Sequence, residues 1–146
     1  MIQGIFNSSS MPVVEKMVQF TGARHQVLTH NIANLSTPHF RPRDLDPRAF
    51  QAQLGKALAE RRARAQGGGL QEPFRLKDTR QIRERAGGLD VRPEYLDENI
   101  LFHDRNNRDL ERTMQNLAEN TMAHTASLTF LRSEMELLQI ASRGRL

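Results

Sequence analysis

The stretch Asn107-Arg-Asp-Leu-Glu-Arg-Thr-Met-Gln-Asn-Leu-Ala-Glu-Asn-Thr-Met-Ala-His-Thr-Ala-Ser-Leu-Thr-Phe-Leu-Arg-Ser-Glu-Met-Glu-Leu-Leu-Gln-Ile-Ala-Ser142 decides the fold. Stepping alternately four and three residues from Leu110 reaches Met114, Leu117, Thr121, His124, Leu128, Leu131, Met135, Leu138 and Ser142. Six of the first eight steps land on large apolar residues, the pattern of a helix with a sustained heptad seam. At 1.5 Å per residue such a helix is about 50 Å long, more than a compact domain of this size needs. The stretch therefore predicts a helix that packs against other helices, within the chain and beyond it.

Working outward, the partner is at the other end of the chain. Ser10 is placed to cap a helix whose first turn accepts Pro12, where a missing N–H is harmless. From there Val14, Met17, Val18, Thr21, Leu28, Ile32 and Leu35 follow helical spacing, widened by Val13, Phe20 and Val27. Gly22 weakens this helix by about 1 kcal/mol relative to Ala. Arg24 and Asn31 read as polar interruptions of its heptad track that fix register. Pro38 disfavours helical geometry at Thr37, so the helix ends near Leu35 and Asn34, Ser36 and Thr37 serve its orphaned backbone groups.

Between the two long helices, Asp46-Pro47 predicts the cap and first residue of a shorter helix near 47–65 with Phe50, Leu54 and Leu58 on one face. Gly67-Gly68-Gly69 stops it. Residues 71–85 hold scattered apolar positions, Phe74, Leu76 and Ile82, without a clear period, and read as loop or short strand. Tyr95-Leu96 and Ile100-Leu101-Phe102 form a small apolar patch before the last helix. That helix has caps at Asn106 and Asn107, acids at Asp109 and Glu111, bases at Arg143 and Arg145, and a stop at Gly144, as the helix dipole favours. The expected fold class is mainly α, with long N- and C-terminal helices pairing as an antiparallel coiled coil, a short helix, and a loop-rich, partly extended middle. The expected segments are 1–40, 41–106 and 107–146.

Composition excludes several chemistries. The 146 residues contain no cysteine, which removes disulfides, thiolate metal sites and cysteine nucleophiles. His25, His30, His39, His103 and His124 contain no i, i+4 pair and no H-E-x-x-H, so no metal site is expected, and His124 reads as a packed seam histidine. Asp46 is committed to capping and Asp44 reads as a turn residue, which leaves no acid–base pair. The triple glycine lacks the Lys-Ser/Thr of a phosphate loop. No nucleophile elbow occurs, so the expectation is a non-enzyme with no cofactor and no small-molecule substrate. Net charge is +4, and Arg61, Arg62, Arg64, Arg75, Lys77, Arg80, Arg83 and Arg85 make the middle basic, which raises nucleic-acid binding as the reading from another class. Phe74 alone offers a stacking aromatic there, and a solvated or subunit-facing surface is the better account. No run spans a bilayer and Met1–Val14 has no basic n-region, so neither membrane insertion nor a cleaved signal peptide is expected.

Asn31-Ile32-Ala33-Asn34 followed by Thr37-Pro38, Phe40 and Arg41 resembles the NIANxxTPGY signature of the bacterial flagellar axial proteins, the rod, hook and hook-associated subunits. Leu35, Ser36 and His39 depart from it, and His39 in place of glycine argues against a positive φ there. Asp104-Arg-Asn-Asn-Arg-Asp109-Leu110-Glu111, with Met114 and Leu117-Ala118-Glu119-Asn120, is similar to the approach to the last helix in the basal-body rod branch of that family. Asp44–Leu58 is also similar to that branch, whereas residues 60–100 carry little of the resemblance. The resemblance implies a proximal-rod subunit whose terminal helices pair and stack into a hollow rod crossing the periplasm and transmitting motor torque. It implies self-association, contacts with other rod and basal-body proteins, and export through the flagellar type III apparatus. The residues it assigns to packing and assembly are Val14, Met17, Leu28 and Ile32 with Leu110, Met114, Leu117, Leu128, Leu131, Met135 and Leu138. The family turn is Asn31, Asn34, Thr37 and Pro38. One helix pair leaves apolar surface uncovered, which predicts a monomer whose termini order on assembly.

Overall fold

A computed structural model describes residues 10–66, 74–86, 88–96 and 110–144. In chain order the elements are α1 (Met11–Ala33), β1 (Arg43–Asp44), α2 (Pro47–Gln66), β2 (Ile82–Arg85), β3 (Gly88–Val91), β4 (Glu94–Tyr95) and α3 (Leu110–Ser142). The caps expected at Asn106 and Asn107, the glycine stop at 67–69, the patch at 100–102, Asp109, Arg145 and the ordering of the chain's ends lie outside the described residues.

The first helix starts where Ser10 predicts it, and the Ser10 carbonyl accepts from Val13 and Val14 N–H at 3.0 and 3.1 Å. Its hydroxyl makes no cap, however, because it donates to Glu134 Oε1 on α3. A tertiary partner has displaced the local one. α2 keeps its expected cap: Asp46 Oδ1 accepts from Arg48 N at 2.8 Å and Ala49 N at 3.2 Å. α3 runs into Gly144, whose φ of 60° is the left-handed conformation that ends helices at glycine.

The compact part of the molecule is built on one face of α1. Lys16, Phe20, Arg24 and Asn31 recur at helical spacing, and all four are buried. Phe20 stacks on Phe50 of α2 with ring centroids 4.0 Å apart and 6° between planes. Around them close Leu45, Leu54, Phe74, Leu76 and Ile82, with Val13, Met17, Ala57, Leu58, Leu89 and Val91 packed against the cluster. Each such fully buried side chain contributes roughly 1.5–3 kcal/mol. Thus the segment without a legible period supplies much of the core. Phe74 and Leu76 are buried while Arg75 and Lys77 are exposed, a two-residue alternation too short to stand out in the sequence.

The extended pieces form two antiparallel pairs. In one, β1 lies beside β4 with Arg43 opposite Tyr95 and Asp44 opposite Glu94. In the other, β2 and β3 make a hairpin from Ile82–Val91 to Arg85–Gly88. Gly88 sits at φ 139°, a backbone that favours glycine, and a Cβ there would come within 3.3 Å of Gln19 Oε1, which would have to shift slightly. Gln19 Oε1 in turn accepts from Leu89 N–H at 3.2 Å, tying the hairpin to α1.

Arg24 and Asn31 correct the sequence reading. They are ties to the middle layer, not interruptions in a helix seam. Arg24 grips Asp44 with two parallel bonds, Nε to Oδ1 at 2.9 Å and an Nη to Oδ2 at 2.7 Å, both side chains nearly buried. Lys16 meets Glu84 at 2.9 Å in the same way. The other Glu84 oxygen accepts from Leu76 N–H at 2.7 Å. Both carboxylates therefore have backbone donors besides their cations, the condition under which a buried ion pair is tolerated.

Candidate functional site

The second face of α1 carries α3, antiparallel. Thr21 Oγ1 lies 2.8 Å from His124 Nδ1, the Thr21 carbonyl accepts from Asn120 Nδ2 at 2.9 Å, and Ser10 reaches Glu134. Because Thr21 Oγ1 also lies 2.7 Å from the Met17 carbonyl, to which it donates, the hydroxyl is left to accept from the ring N–H of His124. The register places Leu28, 1% exposed, level with Leu117, and Val14 level with Leu131. Val14 and Ile32 are half-buried, and Met17 joins the middle core.

Burial along α3 shows which residues face inward: Leu117, Asn120, His124, Ser127, Leu131, Glu134 and Leu138 are buried or half-buried, at three- and four-residue steps. This stripe shares Leu117, His124, Leu131 and Leu138 with the apolar seam read from the sequence. Its alternate positions are the polar Asn120, Ser127 and Glu134. Asn120 is 3% and Ser127 2% exposed. Ser127 satisfies itself by donating to the Ala123 carbonyl at 2.7 Å.

The remaining half of the sequence seam lies on the flank. Leu128 is half-buried, whereas Leu110, Met114 and Met135 are 44–51% exposed. Met122, Phe130, Leu137 and Ile140 are exposed further round. A helix apolar on several sides is one that is buried in its working state. Sequence spacing alone found the inward Leu positions but could not divide the stripe, since apolar character marks both kinds of contact.

The turn after α1 is a chain of local bonds. Asn34 Nδ2 donates to the His30 carbonyl at 2.9 Å, Thr37 N–H donates to the Asn34 carbonyl at 3.0 Å, and Phe40 N–H to the Thr37 carbonyl at 3.2 Å. Pro38 is exposed. His39 has a φ of 60°, against the expectation drawn from its side chain. The turn's hydrogen bonds impose that backbone, at a cost of about 1–2 kcal/mol for a residue with a Cβ. Asn31 is the buried member: its amide donates to the Arg43 carbonyl at 2.6 Å and accepts from Arg43 N–H at 3.2 Å.

Half of the basic residues named in the middle, Arg64, Lys77, Arg80 and Arg85, have acidic partners within the chain. Lys77 and Arg64 meet Glu60 at 2.5 and 3.9 Å, Arg80 meets Glu94 at 3.6 Å, and Arg85 meets Asp90 at 3.3 Å. Beside Lys77, the Glu60 carboxyl is held below its usual pKa by that hydrogen bond and charge. Among the described residues no three His, Asp or Glu side chains gather as metal ligands, and no helix is long and apolar enough to cross a membrane.

A pair of packed helices, with a small core on the far side of α1 and apolar side chains exposed on α3, defines a mainly α-helical protein. No family model matches the chain. It is 34% identical over 123 residues to the flagellar basal body rod protein FlgB of Cereibacter sphaeroides, covering 83% of this chain and 84% of that one. The corresponding proteins of Yersinia enterocolitica and Borrelia hermsii are each 29% identical, over 89% and 80% of this chain and 91% and 82% of theirs. The chain belongs to the FlgB family of flagellar basal body rod proteins.

Proposed function

We propose that the chain is a structural subunit of the proximal rod, without enzymatic activity, that self-assembles through its terminal helices and transmits torque from the motor. The observation that carries this reading is the apolar surface of α3 left exposed beside a satisfied inner stripe: Leu110, Met114 and Met135 face away from α1. In the assembled rod those side chains pack against neighbouring subunits, while Leu117, Leu131 and Leu138 hold the antiparallel helix pair within one subunit. Segments 1–40 and 107–146 then form the assembling part and 41–106 an outer layer. Its neighbours are other copies, other rod and basal-body proteins and, during delivery, the type III export apparatus, which takes the chain to the periplasmic rod. No cofactor is required.

Leu128, at the border between inner stripe and flank, is the residue to test. Leu128→Asp puts an unpaired carboxylate where both contacts meet and is expected to abolish rod assembly and swimming while the protein is still exported. Wild-type swimming by that strain would remove the assignment. Electron microscopy of basal bodies from a deletion strain tests the broader reading, with loss of the rod and retention of the ring as the expected result. Tight, salt-sensitive DNA binding in a gel shift would favour the nucleic-acid reading instead.

A further inference from the structure

Two cations without ion pairs among the described residues share one aromatic ring. Arg41 and Arg43 both stack on Tyr95, with guanidinium carbons 4.6 and 4.5 Å from the ring centroid, and Arg43 donates to the Tyr95 hydroxyl at 2.6 Å. Neither forms an ion pair among the described residues, whereas Lys16, Arg24, Lys77, Arg80 and Arg85 all do. The two arginines line an open groove of about 540 Å³ with Val27, Phe40, Pro93 and Tyr95, at the end of the helix pair where α1 finishes. Tyr95 and Leu96 beside it are 46% and 39% exposed. The groove thus offers apolar and aromatic area with two oriented guanidinium groups, suited to an apolar segment that carries a carboxylate.

Such a segment exists at the opposite end of the same molecule. Past Glu134, which lies level with Ser10, α3 continues for two more turns beyond the start of α1. This overhang exposes Met135, Leu137 and Ile140 at 51%, 61% and 59%, around an exposed Glu136 that forms no ion pair among the described residues. The helix ends just beyond it, where Arg143 N–H donates to the Gln139 carbonyl at 3.1 Å. Groove and overhang sit at opposite ends of a helix about 50 Å long, so one copy cannot join its own.

We propose that the Arg41–Arg43–Tyr95 groove receives the C-terminal overhang of α3 from a second copy of this chain, with Glu136 between the arginines. The contact is head-to-tail and heterologous, so it propagates into an open helical array instead of closing as a dimer. This rests on the rod reading above and adds the surface by which one copy engages the next.

The purified full-length chain tests it by sedimentation velocity across a concentration series. Wild type is expected to sediment as a monomer at the lowest concentrations and, as concentration rises, to form a ladder of oligomers that shrinks with added salt. Arg43→Glu and Glu136→Arg are each expected to weaken association about tenfold, and the combined variant to restore it. Arg41→Glu, which alters a side chain with no hydrogen bond to the fold, serves in place of Arg43→Glu if circular dichroism shows that variant misfolded. Lack of self-association by wild type, or a double variant no stronger than the singles, would overturn the proposal. Wild-type association by Arg43→Glu, with loss of swimming when it replaces the native chain, would overturn it by assigning the groove to a different protein. None of these results depends on the deletion-strain micrographs, so the rod reading stands or fails separately.

Discussion

The two faces of α1 are built on different principles. The face toward the middle layer combines stacked aromatics with ion pairs, and the buried Lys16, Arg24 and Asn31 there each have a partner inside the chain. The face toward α3 alternates Leu28 and Leu117 with Thr21, Asn120, His124 and Ser127, while α3 exposes Met and Leu on its flank. The first face holds the subunit together by itself. The second is a more polar seam, and the apolar side chains left exposed lie on the flank of α3. The core is therefore on one side of α1, and the exposed apolar surface belongs to the helix on its other side.

The largest expected effect tests that division. Phe20→Ala removes a ring that is 2% exposed and stacked on Phe50, and should destabilise the monomer by about 3–5 kcal/mol in urea unfolding. Leu131→Ala, at a half-buried position on the other face, should have less than half that effect yet impair swimming as strongly. Equal destabilisation by the two would erase the contrast. Next in size, Arg24→Met leaves Asp44 buried without its cation and should cost about 3 kcal/mol, part of which Asp44→Asn recovers when the two are combined. Smaller, and opposite in sign, is Gly22→Ala. A Cβ there would meet His124 Cε1 at 3.6 Å, ordinary contact, so the substitution should raise stability by about 0.5–1 kcal/mol through helix propensity. A loss would mean the seam is tighter than its polar composition implies.

The smallest effect concerns Glu60, half-exposed on α2. Its carboxyl has a folded pKa below the unfolded value, so its contribution is present above the unfolded pKa and is lost as pH falls through the folded one. Glu60→Gln should flatten the acid limb of the stability profile slightly and leave neutral behaviour nearly unchanged. An unaltered acid limb would show the Lys77 contact to be without thermodynamic weight.

The helix boundaries, the Asp46 cap, the Gly144 stop and the inward Leu117, Leu131 and Leu138 were legible because each rests on chemistry within a few residues. The core of the middle layer was not. Phe74, Leu76 and Ile82 are brought to Phe20 by contacts more than fifty positions away, and the alternation around them is only one period long. Arg24 and Asn31 were misassigned for a related reason: a polar residue on a heptad track looks the same whether it breaks a seam or serves another surface. The positive φ at His39 was hidden because the turn's hydrogen bonds, not the side chain, decide it. The division of the apolar stripe on α3 between inside and outside required the position of α1.

Asn31 has one more consequence. By donating to the Arg43 carbonyl and accepting from its N–H, its amide imitates a neighbouring strand and withdraws both groups from the sheet's edge. An exposed edge is a template for indiscriminate strand addition. A single side-chain amide closes that template at Arg43.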